Sequence, residues 1–297
     1  MAGYWSYLRL PVMASSSIAA LASGLLYFKQ NDLIYPRYLP AGSNTEEGVP
    51  LPTQFGISDY EDLRIATPDK ETLGAFFIRA PNRGIASNVT ILMFHGNAGN
   101  IGHRVPIAKY LGENLGCNCL MLEYRGYGAS TGTPDEKGLM IDAQTGLDWI
   151  RTSKETKDNK IVVYGQSIGG AVAIQLVAKN QDAGDVIGLI LENTFTSIRK
   201  MIPSAFPPAK YIAWLCHQYW PSEDILPQIT KVPILFISGL KDEIVPPQHM
   251  KDLFAVCQAK RKIWRTIPNG SHNDTVAEQD YFKYIYDFME DEVLGNQ

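Results

Sequence analysis

Five short apolar runs, separated by amphipathic stretches, limit what this chain can fold into more than any other feature. They are Val89-Thr90-Ile91-Leu92-Met93-Phe94, Cys119-Leu120-Met121-Leu122, Ile161-Val162-Val163-Tyr164, Val186-Ile187-Gly188-Leu189-Ile190-Leu191 and Ile234-Leu235-Phe236-Ile237. Near-continuous apolarity, without alternation, marks strands buried on both faces, as in a parallel sheet. Pro106–Leu115, Leu139–Thr152, Ile168–Lys179 and Gln248–Cys257 carry amphipathic helical spacing. Leu63–Thr67 and Leu73–Ile78, around Pro68-Asp69-Lys70, read as an antiparallel hairpin, and Ile263–Ile267 as a last strand. The alternation predicts a mostly parallel, twisted α/β sheet with helices on both faces. In such a sheet the functional groups lie beyond the carboxyl ends of the strands.

The motifs fall at those ends. Gly165-Gln166-Ser167-Ile168-Gly169 joins a buried run directly to a helix, which is the context of a nucleophile elbow. A sharp, strained turn there projects the serine, and glycines keep its flanks free of side chains. Outside that context the same pattern is only a Gly-rich turn with a capping serine. The helix that follows aims its first amides and positive dipole end at a developing oxyanion. His95-Gly96-Asn97-Ala98-Gly99-Asn100 follows the first buried run. It supplies the second oxyanion donor, assigned to the backbone N–H of Asn97, beside that of Ile168. His95 itself reads as a brace for that loop.

A serine hydroxyl needs a neutral imidazole to take its proton. Of the five histidines, only His272 sits in a loop between the last strand and the last helix. His103 and His249 are expected at the surface, and His217 in packing or lid polarity. Asp242 follows the run Ile234–Ile237 and is assigned to hold the imidazole, with Glu243 as the alternative one residue on. The order Ser167, Asp242, His272 is the one an elbow-type hydrolase uses.

Together these motifs resemble the α/β-hydrolase superfamily, and within it the branch of fungal bud-emergence-type proteins and animal α/β-hydrolase domain-containing protein thirteen. The resemblance rests on residues 95–102, Tyr124-Arg125-Gly126-Tyr127-Gly128, residues 164–170, Leu191-Glu192-Asn193-Thr194-Phe195, residues 238–247 and residues 270–275. It implies the α/β-hydrolase fold, a single N-terminal anchor, membrane association and a triad of Ser167, Asp242 and His272. It implies no settled substrate.

The N-terminus departs in composition. Val12–Phe28 carries no formal charge between Arg9 and Lys29. As a helix it falls just short of the hydrocarbon thickness. Three readings compete: a membrane anchor, which is favoured, a cleaved signal peptide and a buried soluble helix. No clear small-x-small cleavage site follows, and Tyr4, Trp5, Tyr7 and Tyr27 resemble an interfacial belt. The expected organisation is an anchor segment over residues 1–30, an extended Pro- and Gly-rich arm over 31–56, and a hydrolase domain over 57–297. Single-pass residence in the endoplasmic reticulum or plasma membrane follows. Acceptor-type triplets at Asn269 and Asn273 flank His272, where a glycan would block the site, which favours a cytosolic domain.

Residues 194–231 leave the sheet pattern and form a lid insert. Its Phe195, Phe206 and Trp214 either line an acyl groove or form the lid's own small core. The expected substrate is an acylated protein or lipid-like ester, cleaved by an acyl-protein thioesterase, palmitoyl-protein hydrolase or lipid esterase chemistry. A non-catalytic membrane-tethered scaffold and a serine peptidase are the alternatives. With 27 basic and 31 acidic residues the net charge is −4, so no nucleic-acid partner is expected. Four cysteines are too few for a disulfide scaffold. Cys117 and Cys119 have no second pair at zinc spacing and read as buried thiols. Neither a cofactor nor a metal is expected.

Overall fold

The computed structural model describes residues 23–24, 27–205 and 207–295. The expected anchor Val12–Phe28 lies outside the described residues except at positions 23, 24, 27 and 28. Among the described residues no helix is long and apolar enough to cross a membrane.

Eight strands form one sheet: β1 (Tyr60–Ala66), β2 (Thr72–Ile78), β3 (Val89–Phe94), β4 (Asn118–Leu122), β5 (Lys160–Gln166), β6 (Val186–Glu192), β7 (Ile234–Gly239) and β8 (Lys262–Ile267). Their spatial order is β1-β2-β4-β3-β5-β6-β7-β8. β2 is antiparallel to both its neighbours, and every pairing from β4 to β8 is parallel. The helices are α1 (27–34), α2 (Val105–Leu115), α3 (Glu136–Thr152), α4 (Ile168–Asn180), α5 (Ile198–Ala205), α6 (Ser222–Ile225), α7 (Gln248–Val256) and α8 (Tyr281–Asp287).

Each apolar run divides its side chains between two cores, because successive strand residues face opposite ways. Leu92 and Phe94 of β3 pack with Leu139, Ala143 and Leu147 of α3 and with the buried residues of α4. Ile91 and Met93 pack on the other side with Val105, Ala108 and Leu111 of α2 and with Tyr281 and Ile285 of α8. This two-sided burial is why the runs lack alternation. α3 starts three residues before its apolar pattern does, because the Asp135 carboxylate accepts from the Gly138 amide at 2.6 Å and caps it.

Residues 31–56 are not the extended arm expected of them. α1 runs to residue 34, and turns and two short 3₁₀ segments, Glu46–Gly48 and Pro52–Phe55, follow. The prolines and glycines fold the stretch back on itself, and Tyr35, Ser43 and Val49 are buried. It is a strap against the domain.

The turning point of the topology lies at β3. β4 pairs on one side of it and β5 on the other. The loops leaving β3 and β5 therefore diverge and open a crevice at the carboxyl edge.

Candidate active site

Ser167 sits at that crevice with φ 55° and ψ −120°, a conformation L residues seldom adopt. Such backbone costs roughly 1–3 kcal/mol and persists only where neighbours hold it. The Ser167 amide donates to the Glu192 carbonyl at 2.9 Å, and the Thr194 hydroxyl donates to the Ser167 carbonyl at 2.7 Å. The flanking glycines are required by space. A Cβ on Gly165 would stand 2.2 Å from the Gly169 carbonyl oxygen, and one on Gly169 would stand 2.3 Å from that of Phe94.

His272 lies in the loop after β8 and Asp242 in the loop after β7. His272 Nε2 is 3.0 Å from Ser167 Oγ, and His272 Nδ1 is 2.8 Å from Asp242 Oδ2. All three side chains are buried. Asp242 Oδ1 accepts from the amides of Ile244 and Val245 at 2.9 and 2.8 Å, so both carboxylate oxygens are occupied. Glu243, the sequence alternative, accepts the His272 backbone amide at 3.3 Å instead. The structure thus brings together the three residues named from the sequence.

The β3 loop runs beside the serine: a Cβ on Gly96 would be 3.7 Å from Ser167 Cβ. The Asn97 side chain donates to the Ile34 carbonyl at 3.1 Å, and the Asn97 carbonyl accepts from the Tyr127 hydroxyl at 2.9 Å. No hydrogen bond among the described residues engages the backbone N–H of Asn97 or of Ile168. His95 is packed 4.3 Å from the Tyr124 ring and 5.3 Å from that of Tyr127, with Nε2 2.9 Å from Glu123 Oε1. It braces the loop from beneath.

The lid candidates separate. Phe195 is buried in the core with Ile198, and Trp214 is 69% exposed. Phe206 lies outside the described residues. Phe195 and Trp214 do not line one groove together, because the first packs into the core and the second faces solvent. His249, expected at the surface, is buried, with Nδ1 2.8 Å from the Thr196 hydroxyl. Burial holds its pKa below the usual histidine value.

Sequence reasoning assigned no role to Asn193, which has φ 45°. Its Oδ1 accepts the Gly239 amide at 2.8 Å. Its Nδ2 donates to Thr275 Oγ1 at 2.9 Å and lies within 3.4 Å of the Ser271 and His272 carbonyls. One side chain therefore joins the end of the acid-bearing strand to the loop of the base. Beside it, Glu192 accepts from the Tyr164 hydroxyl and from Gln166 Nε2, the latter at 3.1 Å. Burial pushes the Glu192 carboxyl upward. The available signal was two polar residues closing an apolar strand on its carboxyl side, where a buried polar group needs partners.

A cleft of about 420 Å³ is lined by Glu46, Glu47, Asp62, Arg64, Phe76 and Glu123 among others. No triad residue lines it, so its size does not make it the reaction site. Among the described residues no group of three or more His, Cys, Asp or Glu is arranged to hold a metal ion.

Residues 86–229 match the Hydrolase_4 family model, described as serine aminopeptidase, S33. Protein bem46 of Schizosaccharomyces pombe is 46% identical over 286 residues, covering 96% of this chain and 94% of that protein. A Saccharomyces cerevisiae protein named as an uncharacterized membrane protein is 39% identical, covering 96% of this chain and 97% of its own length. Among solved structures, an esterase of Pyrococcus furiosus superposes with a TM-score of 0.67 at 16% identity, over 82% of this chain and 94% of that one.

Proposed function

Since the chain belongs to the α/β-hydrolase family that includes bem46, we propose that it is a membrane-anchored serine hydrolase cleaving an ester or thioester through an acyl-enzyme. The single observation that carries the reading is the continuous relay Ser167 Oγ, His272 Nε2, His272 Nδ1, Asp242 Oδ2, with contacts of 3.0 and 2.8 Å. With its proton on Nδ1 and directed to Asp242, His272 presents Nε2 as an acceptor. Ser167 Oγ attacks the acyl carbonyl carbon as its proton passes to Nε2. The carbonyl oxygen becomes an oxyanion that the Asn97 and Ile168 amides receive. One such donor contributes roughly 3 kcal/mol to the transition state. The imidazolium then protonates the leaving alcohol or thiol, and water, deprotonated by the same nitrogen, releases the acid.

Membrane attachment is part of the proposal. It draws support from the uncharged stretch Val12–Phe28 and from the Saccharomyces cerevisiae relative, which is named a membrane protein. The substrates it favours are acyl groups on lipids or lipid-modified proteins. The description of the matching family model keeps peptide cleavage as a second reading. A panel of esters and thioesters of graded chain length, with aminoacyl amides alongside, separates the two. Each substrate CH₂ buried contributes up to ~0.8 kcal/mol, so kcat/KM should climb with chain length. Turnover confined to aminoacyl amides would replace the esterase reading. Absence of any turnover or fluorophosphonate labelling would leave a tethered scaffold.

A further inference from the structure

The large apolar side chains that the described residues expose most gather in two segments. Phe28 on α1 is 81% exposed, and Tyr211 and Trp214 in the lid are 74% and 69% exposed. Single exposed apolar residues are ordinary, but a neighbourhood of them marks a contact surface. The two segments are bonded to each other. Gln30 Oε1 accepts the His217 amide at 2.8 Å, Gln30 Nε2 donates to the Leu215 carbonyl at 3.4 Å, and the Tyr27 and His217 rings lie 5.1 Å apart.

The composition of this neighbourhood is that of a water–lipid boundary. Trp214 Nε1 donates to the Tyr211 carbonyl at 3.1 Å, which leaves the indole's apolar body outward. Lys210 Nζ stands 4.9 Å from the Tyr211 ring centre, and the Arg199 guanidinium 4.1 Å from that of Tyr219. Aromatic rings with a polar tip, mixed with cationic side chains, are the residues that settle at headgroup level. The chain itself identifies the occupant. The uncharged stretch beginning at Val12 ends at Phe28, inside this patch.

We propose that α1 and the lid turns from Pro207 to Tyr219 form one bilayer-contact face, with Phe28, Tyr211 and Trp214 seated among the lipid headgroups. The proposal rests on the anchored reading above and adds a second, lid-borne contact to it. α1 also meets the reaction centre, since the Ile34 carbonyl accepts from the Asn97 side chain. A bilayer-seated face is therefore joined through α1 to the oxyanion loop.

The test uses the full-length chain in phosphatidylcholine vesicles whose acyl chains carry bromine near the headgroup. A Trp5→Phe background removes the tryptophan of the N-terminal segment. Bromolipid quenching should fall sharply when Trp214→Phe is added, and Trp214 should be shielded from aqueous acrylamide when vesicles are present. Quenching unchanged by Trp214→Phe overturns the face. So does a Trp214 shielded from both quenchers, which would mean that another part of the protein covers it. Flotation distinguishes the two levels: a chain that fails to float with vesicles removes the anchored reading and this face together. A chain that floats with an unquenched Trp214 removes only the face. An unchanged unfolding midpoint for Trp214→Phe confirms that the readout reports position.

Discussion

The two sides of the site are held in different ways. On the relay side, Ser167, Asp242 and His272 each follow a strand of the same sheet, and neighbouring amides, carbonyls and one buried asparagine fix them. On the cover side, the strap and the lid grip each other through long-range side-chain bonds. Tyr35 donates to Gln218 at 2.7 Å and accepts from Trp220 Nε1 at 3.0 Å, while Glu136 takes the Tyr219 and Trp220 amides. The relay is a product of the sheet, and the cover is a product of side chains that meet across the fold. Changes to the relay should therefore cost chemistry with little stability, and changes to the cover should do the reverse.

The largest effect expected is that of Ser167→Ala. It should lower kcat by on the order of 10⁶ and abolish fluorophosphonate labelling. A labelled alanine variant would break the comparison at its root. Asp242→Asn should fold normally and lose about 10⁴ in kcat, because the imidazole tautomer is no longer held. Glu243→Gln, which touches only a backbone amide, should keep most activity. An exchange of these two behaviours would move the carboxylate by one residue.

Asn193→Ala sharpens the boundary between positioning and packing. Misplacing a catalytic group by an ångström costs about 10²-fold, so kcat should fall by about that factor with KM little changed. A fall in the unfolding midpoint at constant kcat would move Asn193 to the structural side. Tyr35→Phe tests the cover. It leaves the buried Trp220 N–H unpaired, while the Gln218 oxygen keeps the Glu136 amide at 2.7 Å, at a cost of about 1–3 kcal/mol in chemical denaturation. The labelling rate of Ser167 should stay within a few-fold of the parent's.

The smallest effect concerns pH. Burial lowers the pKa of His249 in the folded state, so the unfolded chain binds more protons near the ordinary histidine value of about 6.5. The stabilisation is complete above that value and is lost as pH falls through it toward the lower folded-state value. The midpoint difference between parent and His249→Gln should therefore shrink on going from about pH 8 to about pH 5. A difference that is flat across this range would exclude His249 as the titrating group.

Legibility from sequence follows the same division. The strands of the parallel sheet, the elbow at Ser167 and the loops carrying Asp242 and His272 could be read directly. Each is a local pattern at a strand end, and sheet topology does the assembling. The strap could not be read. Residues 31–56 resemble a linker in composition, and nothing near Tyr35 in sequence announces a bond to Gln218, 183 residues away. His249 looked like a surface residue because it lies within an amphipathic helix, while its partner Thr196 comes from the lid base. The orientation of Trp214 could not be read for a related reason: aromatic content reports the presence of a surface, and only tertiary packing decides which way it faces.

The bond between Tyr35 and Trp220 also has a consequence for the order in which the molecule is made. The strap leaves the ribosome first, yet its partners lie some 185 residues further along. At ordinary synthesis rates that is an interval on the order of ten seconds or more. During that time the Tyr35 hydroxyl lacks both of its side-chain partners, Gln218 and Trp220. The bond to Trp220 is the last of the strap's to become possible, since Asn97 and Asn100, which bind Ile34, Ser43 and Gly48, are made far earlier. Closure of the cover therefore waits until synthesis has passed Trp220, while the strands that lead to Asp242 and His272 are still to come.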